Sequence, residues 1–147
     1  ANFIVFGLST GIFAVALAKE LRGGFGAVLI PAFHLATALG AILMGLMISE
    51  PLHTYISVLT FVTLPFSFVL LAGRFTGDTR WPGWAAYTNL TNILMLLFFV
   101  VFWIARINER PYAGVYERLI VVTRLIWVAI FILRLIGGRR LTPLKRI

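Results

Sequence analysis

Five long apolar runs divide this chain, and each closes on glycine, proline or charge. The first covers residues 2–18 and stops at Lys19, Glu20, Arg22 and the Gly23-Gly24 pair. The second covers 25–48 and ends at Ser49-Glu50-Pro51, and the third covers 53–72 and ends at Gly73-Arg74. The fourth covers 83–105 and ends at Arg106, and the fifth covers 119–136 and ends at Gly137-Gly138-Arg139-Arg140. A hydrocarbon core about 30 Å thick takes roughly 20 mostly apolar residues to cross as a helix. Each run therefore predicts one transmembrane helix, with stop signals where helices end. Apolar residues lie on nearly every side of each run rather than on one stripe, as suits helices bathed in lipid. The pattern predicts an all-α, polytopic transmembrane bundle of about five helices, built as a single domain over 1–147. No internal repeat or low-complexity linker interrupts it.

Composition agrees. The chain is 61% hydrophobic and 12% charged, against about 45–50% and about 25% in soluble domains, and its mean hydropathy is +0.98. A soluble protein of this size could not hide so much apolar surface; lipid or other protein must cover it. There are no cysteines, which excludes disulfides, thiolate zinc sites and cysteine nucleophiles. The formal net charge is +8, but the basic residues sit at the ends of the apolar runs and form no face interleaved with aromatics. That placement reads as orientation signals and headgroup contacts, not as nucleic-acid binding.

Lysine and arginine also orient the bundle, because cytoplasmic loops carry the excess. With the N-terminus outside, the inner segments hold Lys19, Arg22, Arg74, Arg80, Arg139, Arg140, Lys145 and Arg146, and the outer ones only Arg106, Arg110 and Arg118. The expected topology is N-out, C-in. Ala1 opens almost directly into an apolar helix that lacks the basic front of a signal peptide and runs too long for one. An upstream portion is expected either to have been removed or to lie outside this sequence.

Several local patterns together resemble the prokaryotic membrane proteins catalogued as domain of unknown function 998. Residues 2–7 (Asn-Phe-Ile-Val-Phe-Gly), leading to Phe13 and Leu21-Arg22, look like that family's second helix. Gly45 through Glu50-Pro51 and His53 look like its acidic-Pro/His turn. Arg74, Arg80-Trp81 and Tyr87 look like its third-to-fourth loop. Glu117-Arg118-Leu119, Trp127 and Leu133-Arg134-Leu135 look like its last helix. The resemblance covers most of the chain and is one of pattern, not of a sharp motif. It implies a multi-pass protein of the prokaryotic cytoplasmic membrane. Family members usually carry a further first helix and an acidic loop after it, neither of which is present. The family brings no established activity with it.

Polar groups within a membrane are costly, so each is a candidate for function. His34 lies near the middle of the second run, after Pro31. A neutral imidazole there can serve as a single axial ligand to a tetrapyrrole or relay a proton, or simply bond to a neighbouring helix. No further metal ligands surround it in sequence. His53, Ser57, Thr60 and Ser67 fall along one face of the third run, and Pro65 beside them removes a backbone donor. That face suits helix–helix hydrogen bonding or, alternatively, the lining of a solute path. Asn89 and Asn92 stand one turn apart in the fourth run and predict interhelical contacts, each worth about 0.6–2 kcal/mol. Trp81 and Trp84, just before them, read as headgroup-level anchors. Arg124 and Arg134 lie inside the fifth run. Both can snorkel, or Arg124 can form a buried pair or bind an anion. Gly7 and Gly11, and the Ala36/Gly40 and Ala41/Gly45 steps, predict close helix approach.

No catalytic motif occurs: neither HExxH, GxSxG, a phosphate loop nor a Rossmann glycine pattern. The five carboxylates sit near helix ends without a close pair for acid–base work. Folding could gather Glu50, His53, Glu117 and Arg124 at the outer side, the one candidate active cluster. Three readings follow. The first is an accessory or structural subunit of a larger membrane complex, such as a photosynthetic or respiratory assembly, with a tetrapyrrole or carotenoid as a conceivable cofactor. The second is a small transporter or lipid-handling protein using the polar faces, which at five helices would need to dimerise. The third is a membrane-embedded enzyme using the outer cluster.

Overall fold

A computed structural model describes residues 2–21, 23–24, 26–46 and 50–140; the side chains of Glu50, Pro51 and residues 138–140 lie outside that description. Arg22, Lys145 and Arg146, and the end of the second apolar run at 47–48, fall outside it as well.

The described residues form five helices: α1 (Asn2–Glu20), α2 (Leu29–Leu46), α3 (Glu50–Phe75), α4 (Trp84–Ile107) and α5 (Ala113–Arg140). All five are long and apolar enough to cross a membrane, and no strand occurs among the described residues. The shortest, α2, has 18 residues and reaches about 27 Å at 1.5 Å per residue. The main departure from the hydropathy pattern is at α5, which begins at Ala113 rather than near 119. Its first turns carry Glu117 and Arg118, so they form helix without being apolar; hydropathy detects the lipid-crossing part of a helix, not its hydrogen-bonded length. The second helix is shorter than its run, because residues 26–28 form a turn.

Each helix packs chiefly against its neighbour in sequence. Glycines set the closest approaches. A Cβ on Gly7 would stand 2.6 Å from Ile42 Cγ1 and 2.7 Å from the Ala38 carbonyl oxygen, so α1 and α2 touch backbone to side chain there. A Cβ on Gly40 would collide with the Thr60 hydroxyl, which seats α3 against α2. The small residues thus serve contacts within the chain.

One end of the bundle is closed by aromatic rings. Trp81 stacks on Phe131 at 5.1 Å and 10°, and Trp127 stacks on Phe131 at 5.1 Å and 14°. Trp84 meets the same ring edge-on at 5.4 Å, and Phe75 joins at 5.2 Å from Trp81. Trp81 and Trp84 are buried in this cluster, so they are not the headgroup-facing anchors that their position before α4 suggests. The loop places them between α3 and α5, where ring stacking outweighs a place at the interface. Beside them Arg80 grips Asp78 through Nε and Nη2, at 3.0 Å and 2.8 Å.

Large apolar side chains cover the outside, Ile12, Leu39, Phe66, Leu90 and Leu133 among them. Polar ones are turned inward: Thr10, His34, Thr37, Thr60, Ser67, Thr88, Thr91, Asn92 and Arg124 are all buried. This inside-out distribution is that of an integral membrane protein, in which lipid replaces water as the outer solvent.

Candidate functional site

Most of the buried hydroxyls are satisfied locally. Thr10 donates to the Phe6 carbonyl at 2.7 Å, Thr60 to Ile56 at 2.7 Å, Ser67 to Leu64 at 2.6 Å and Thr91 to Tyr87 at 2.9 Å. Thr37 also meets the Thr63 hydroxyl at 3.0 Å, joining α2 to α3. Ser57 donates to the His53 carbonyl at 2.7 Å and lies 2.9 Å from Met44 Sδ. Hydroxyls that bond back into their own helix carry no demand for a ligand.

Arg124 is different. It is 1% exposed and sits in the interior of α5. Its guanidinium carbon lies over the rings of Phe6 and Phe13, at 5.1 Å and 5.8 Å from their centroids. Its Nε and Nη2 atoms are buried and have no hydrogen-bond partner, and no carboxylate among the described residues pairs with it. The magnitudes do not balance. Cation–π attraction contributes about 2 kcal/mol when desolvated, whereas burying an ion costs several kcal/mol even after relaxation. No anionic or accepting side chain among the described residues meets these two nitrogens.

His34 faces the same ring. It is fully buried, 5.3 Å from the Phe13 centroid and stacked on Phe68 at 6.1 Å. Its Nδ1 lies 2.9 Å from the Ile30 carbonyl, which can only accept, so Nδ1 carries the proton. In the neutral ring Nε2 is then a lone-pair acceptor, and it too is buried without a partner. Arg124 lies close enough for its charge to act on His34. Asn92 Oδ1 on α4 is a further buried acceptor without a partner. Trp127, one turn beyond Arg124, donates to the Thr88 hydroxyl at 3.2 Å. A helical turn explains the alignment. Glu117, Ile120, Arg124, Trp127 and Phe131 recur at three- and four-residue steps and share the inward face of α5.

The end of the bundle where α3 and α5 begin and α4 ends holds a separate feature. A depression of about 240 Å³ is lined by His53, Thr54 and Ser57 of α3, Trp103 and Arg106 of α4, and Gly114 and Glu117 of α5, among others. Glu117 is surrounded by the charges of His53, Arg118 and Arg106. Of the four residues expected to gather here, His53 and Glu117 come together. The Glu50 side chain lies outside the described residues. Arg124 does not line the depression, being seven residues further along α5 and about 10 Å deeper.

The remaining candidates divide. Asn92 is buried but Asn89 is exposed, because α4 turns Trp84, Thr88, Thr91, Asn92 and Met95 inward and residue 89 falls about 100° off that stripe. Asn89 therefore makes no side-chain hydrogen bond to another helix among the described residues. Arg134 is exposed near the end of α5, where it can snorkel. His34, the residue considered as a tetrapyrrole ligand, is enclosed by the chain, with Phe13 and Phe68 packed against its ring. No group of three His, Asp or Glu among the described residues is placed to hold a metal ion. Arg106, at the mouth of the depression, was legible only as a helix-ending charge.

The fold and the buried cationic centre define a five-helix, multi-pass integral membrane protein with a polar interior. A protein-family model described as "Protein of unknown function (DUF998)" matches residues 1–134, and the chain belongs to that family. No curated protein and no solved structure matches it.

Proposed function

We propose that the protein is a small membrane carrier for an anionic solute, which enters from the end bearing His53, Glu117 and Arg106 and is held in the interior at Arg124. The observation that carries this reading is the buried Arg124 guanidinium, whose Nε and Nη2 lack partners. An intramembrane arginine facing the bundle interior is by default a candidate for a solute or ion path. The polar depression at the outer end supplies a wide, charged entrance above it. By the positive-inside count the chain lies N-out, C-in in a prokaryotic cytoplasmic membrane, so the entrance faces the exterior. Two copies would give the helix count typical of such carriers.

The accessory-subunit reading draws on the exposed apolar faces, which lipid covers as well as a partner does, so nothing specific favours it. The enzyme reading has His53, Ser57 and Glu117 in one depression, but the Ser57 hydroxyl donates to the His53 backbone carbonyl and not to a side-chain base.

The test is reconstitution of the purified chain into vesicles with an entrapped pH dye, followed by challenge with small organic and inorganic anions. Uptake well above that of protein-free vesicles, lost in Arg124→Gln, is the expected result. Rates equal to empty vesicles for every anion would sink the carrier reading.

A further inference from the structure

Resting on that reading, the geometry at Arg124 also specifies the class of solute. The two partnerless nitrogens, Nε and Nη2, form one edge of the guanidinium plane, with both N–H bonds pointing the same way. That edge matches two oxygens of a planar carboxylate in the bidentate arrangement. The site holds one positive charge, because His34 donates from Nδ1 to Ile30 and offers a lone pair at Nε2. A monoanion closes the charge balance, whereas a phosphate dianion would overshoot it. Arg124 and His34 both pack on Phe13, and His34 lies within reach of the Arg124 charge; its Nε2 is an unfilled acceptor. An acceptor calls for a donor on the ligand.

We propose that Arg124 and His34 form a buried site for a small 2-hydroxy carboxylic acid, the guanidinium edge holding the carboxylate and His34 Nε2 accepting from the hydroxyl. The rings of Phe6, Phe13 and Phe68 form its apolar walls.

The experiment uses the full chain, purified in detergent and dialysed into chloride buffer. Thermal melting is followed while sodium glycolate, sodium acetate or sodium chloride is added at constant ionic strength. The expected result is a saturable rise with glycolate, a rise with acetate that needs about tenfold more, and none with chloride. Arg124→Lys keeps the charge and loses the fork, so both rises disappear. His34→Phe keeps Arg124 and a packed ring, so acetate and glycolate become equal. No saturable carboxylate effect on the unaltered protein overturns the site, as a lone bridging water between Arg124 and His34 would give. Unchanged affinity in Arg124→Lys overturns it too. If that variant does not fold, His34→Phe decides: glycolate still preferred over acetate overturns the assignment. Carboxylate binding without uptake in vesicles retires the carrier and keeps the site, while uptake indifferent to Arg124→Lys does the reverse.

Discussion

Trp127 donates its indole N–H to the hydroxyl of Thr88 at 3.2 Å, tying α5 to α4 deep in the bundle. Both residues are buried, so neither can turn to water if the other is removed. Thr88→Val keeps the shape and strands the indole N–H, and is expected to cost about 1–3 kcal/mol. In a Trp127→Phe background the same change should cost much less. Unfolding in graded denaturing detergent, run as a double-mutant cycle, measures the difference; equal costs in both backgrounds would show that the bond contributes nothing.

Gly40 and Thr60 make a tighter contact still. A methyl at Gly40 meets the Thr60 hydroxyl and its Cβ, so Gly40→Ala is expected to destabilise by about 1–3 kcal/mol through overpacking. Adding Thr60→Ala clears the obstruction and should restore most of the loss. Melting temperatures of the two single variants and the double variant decide it.

Arg124→Met makes a sharper prediction, since stability and function should part. Exchanging a buried, unpaired charge for an apolar side chain of similar length is expected to leave the ligand-free protein as stable or up to about 4 kcal/mol more stable, while uptake is lost. A loss of about 3 kcal/mol or more instead would mean that Arg124 already holds a compensating partner.

The Asp78–Arg80 pair gives a pH prediction. Arg80's hydrogen bonds hold the Asp78 carboxyl at about 2, below its ordinary 3.8. A carboxylate depressed in the folded state contributes its stability above the unfolded value and loses it as pH falls from about 4 through about 2. This pair therefore produces no change in melting between about pH 5 and 8. An NMR titration should place the Asp78 midpoint near 2, and Arg80→Gln should raise it toward 3.8.

The helices were legible because lipid imposes a length and a composition that the chain must satisfy. Which face of each helix turns inward was not, since Leu29 and Ile30 are alike in hydropathy while one is exposed and the other buried. The polar residues were the usable signal, and they pointed inward at His34, Thr60 and Asn92. Asn89 misled because two asparagines one turn apart need not share a stripe when the stripe is narrow. Trp81 and Trp84 misled because sequence places them at the interface in depth without saying which way they turn. The partners of Arg124 come from α1, more than a hundred residues away in the chain, a relationship that no local pattern encodes.

The neighbour-by-neighbour packing has a consequence for how the protein is assembled. As each new helix leaves the ribosome, its main partner is already in the membrane, so α1 to α4 can dock as they emerge. The exceptions are contacts of α5 outside that order, among them those of Arg124 with Phe6 and Phe13, which join α5 to α1. Until α5 emerges, the aromatic ledge on α1 faces an open side of the assembly. Only the arrival of α5 shuts it and withdraws the arginine from water, so the charged centre forms in a single closing step.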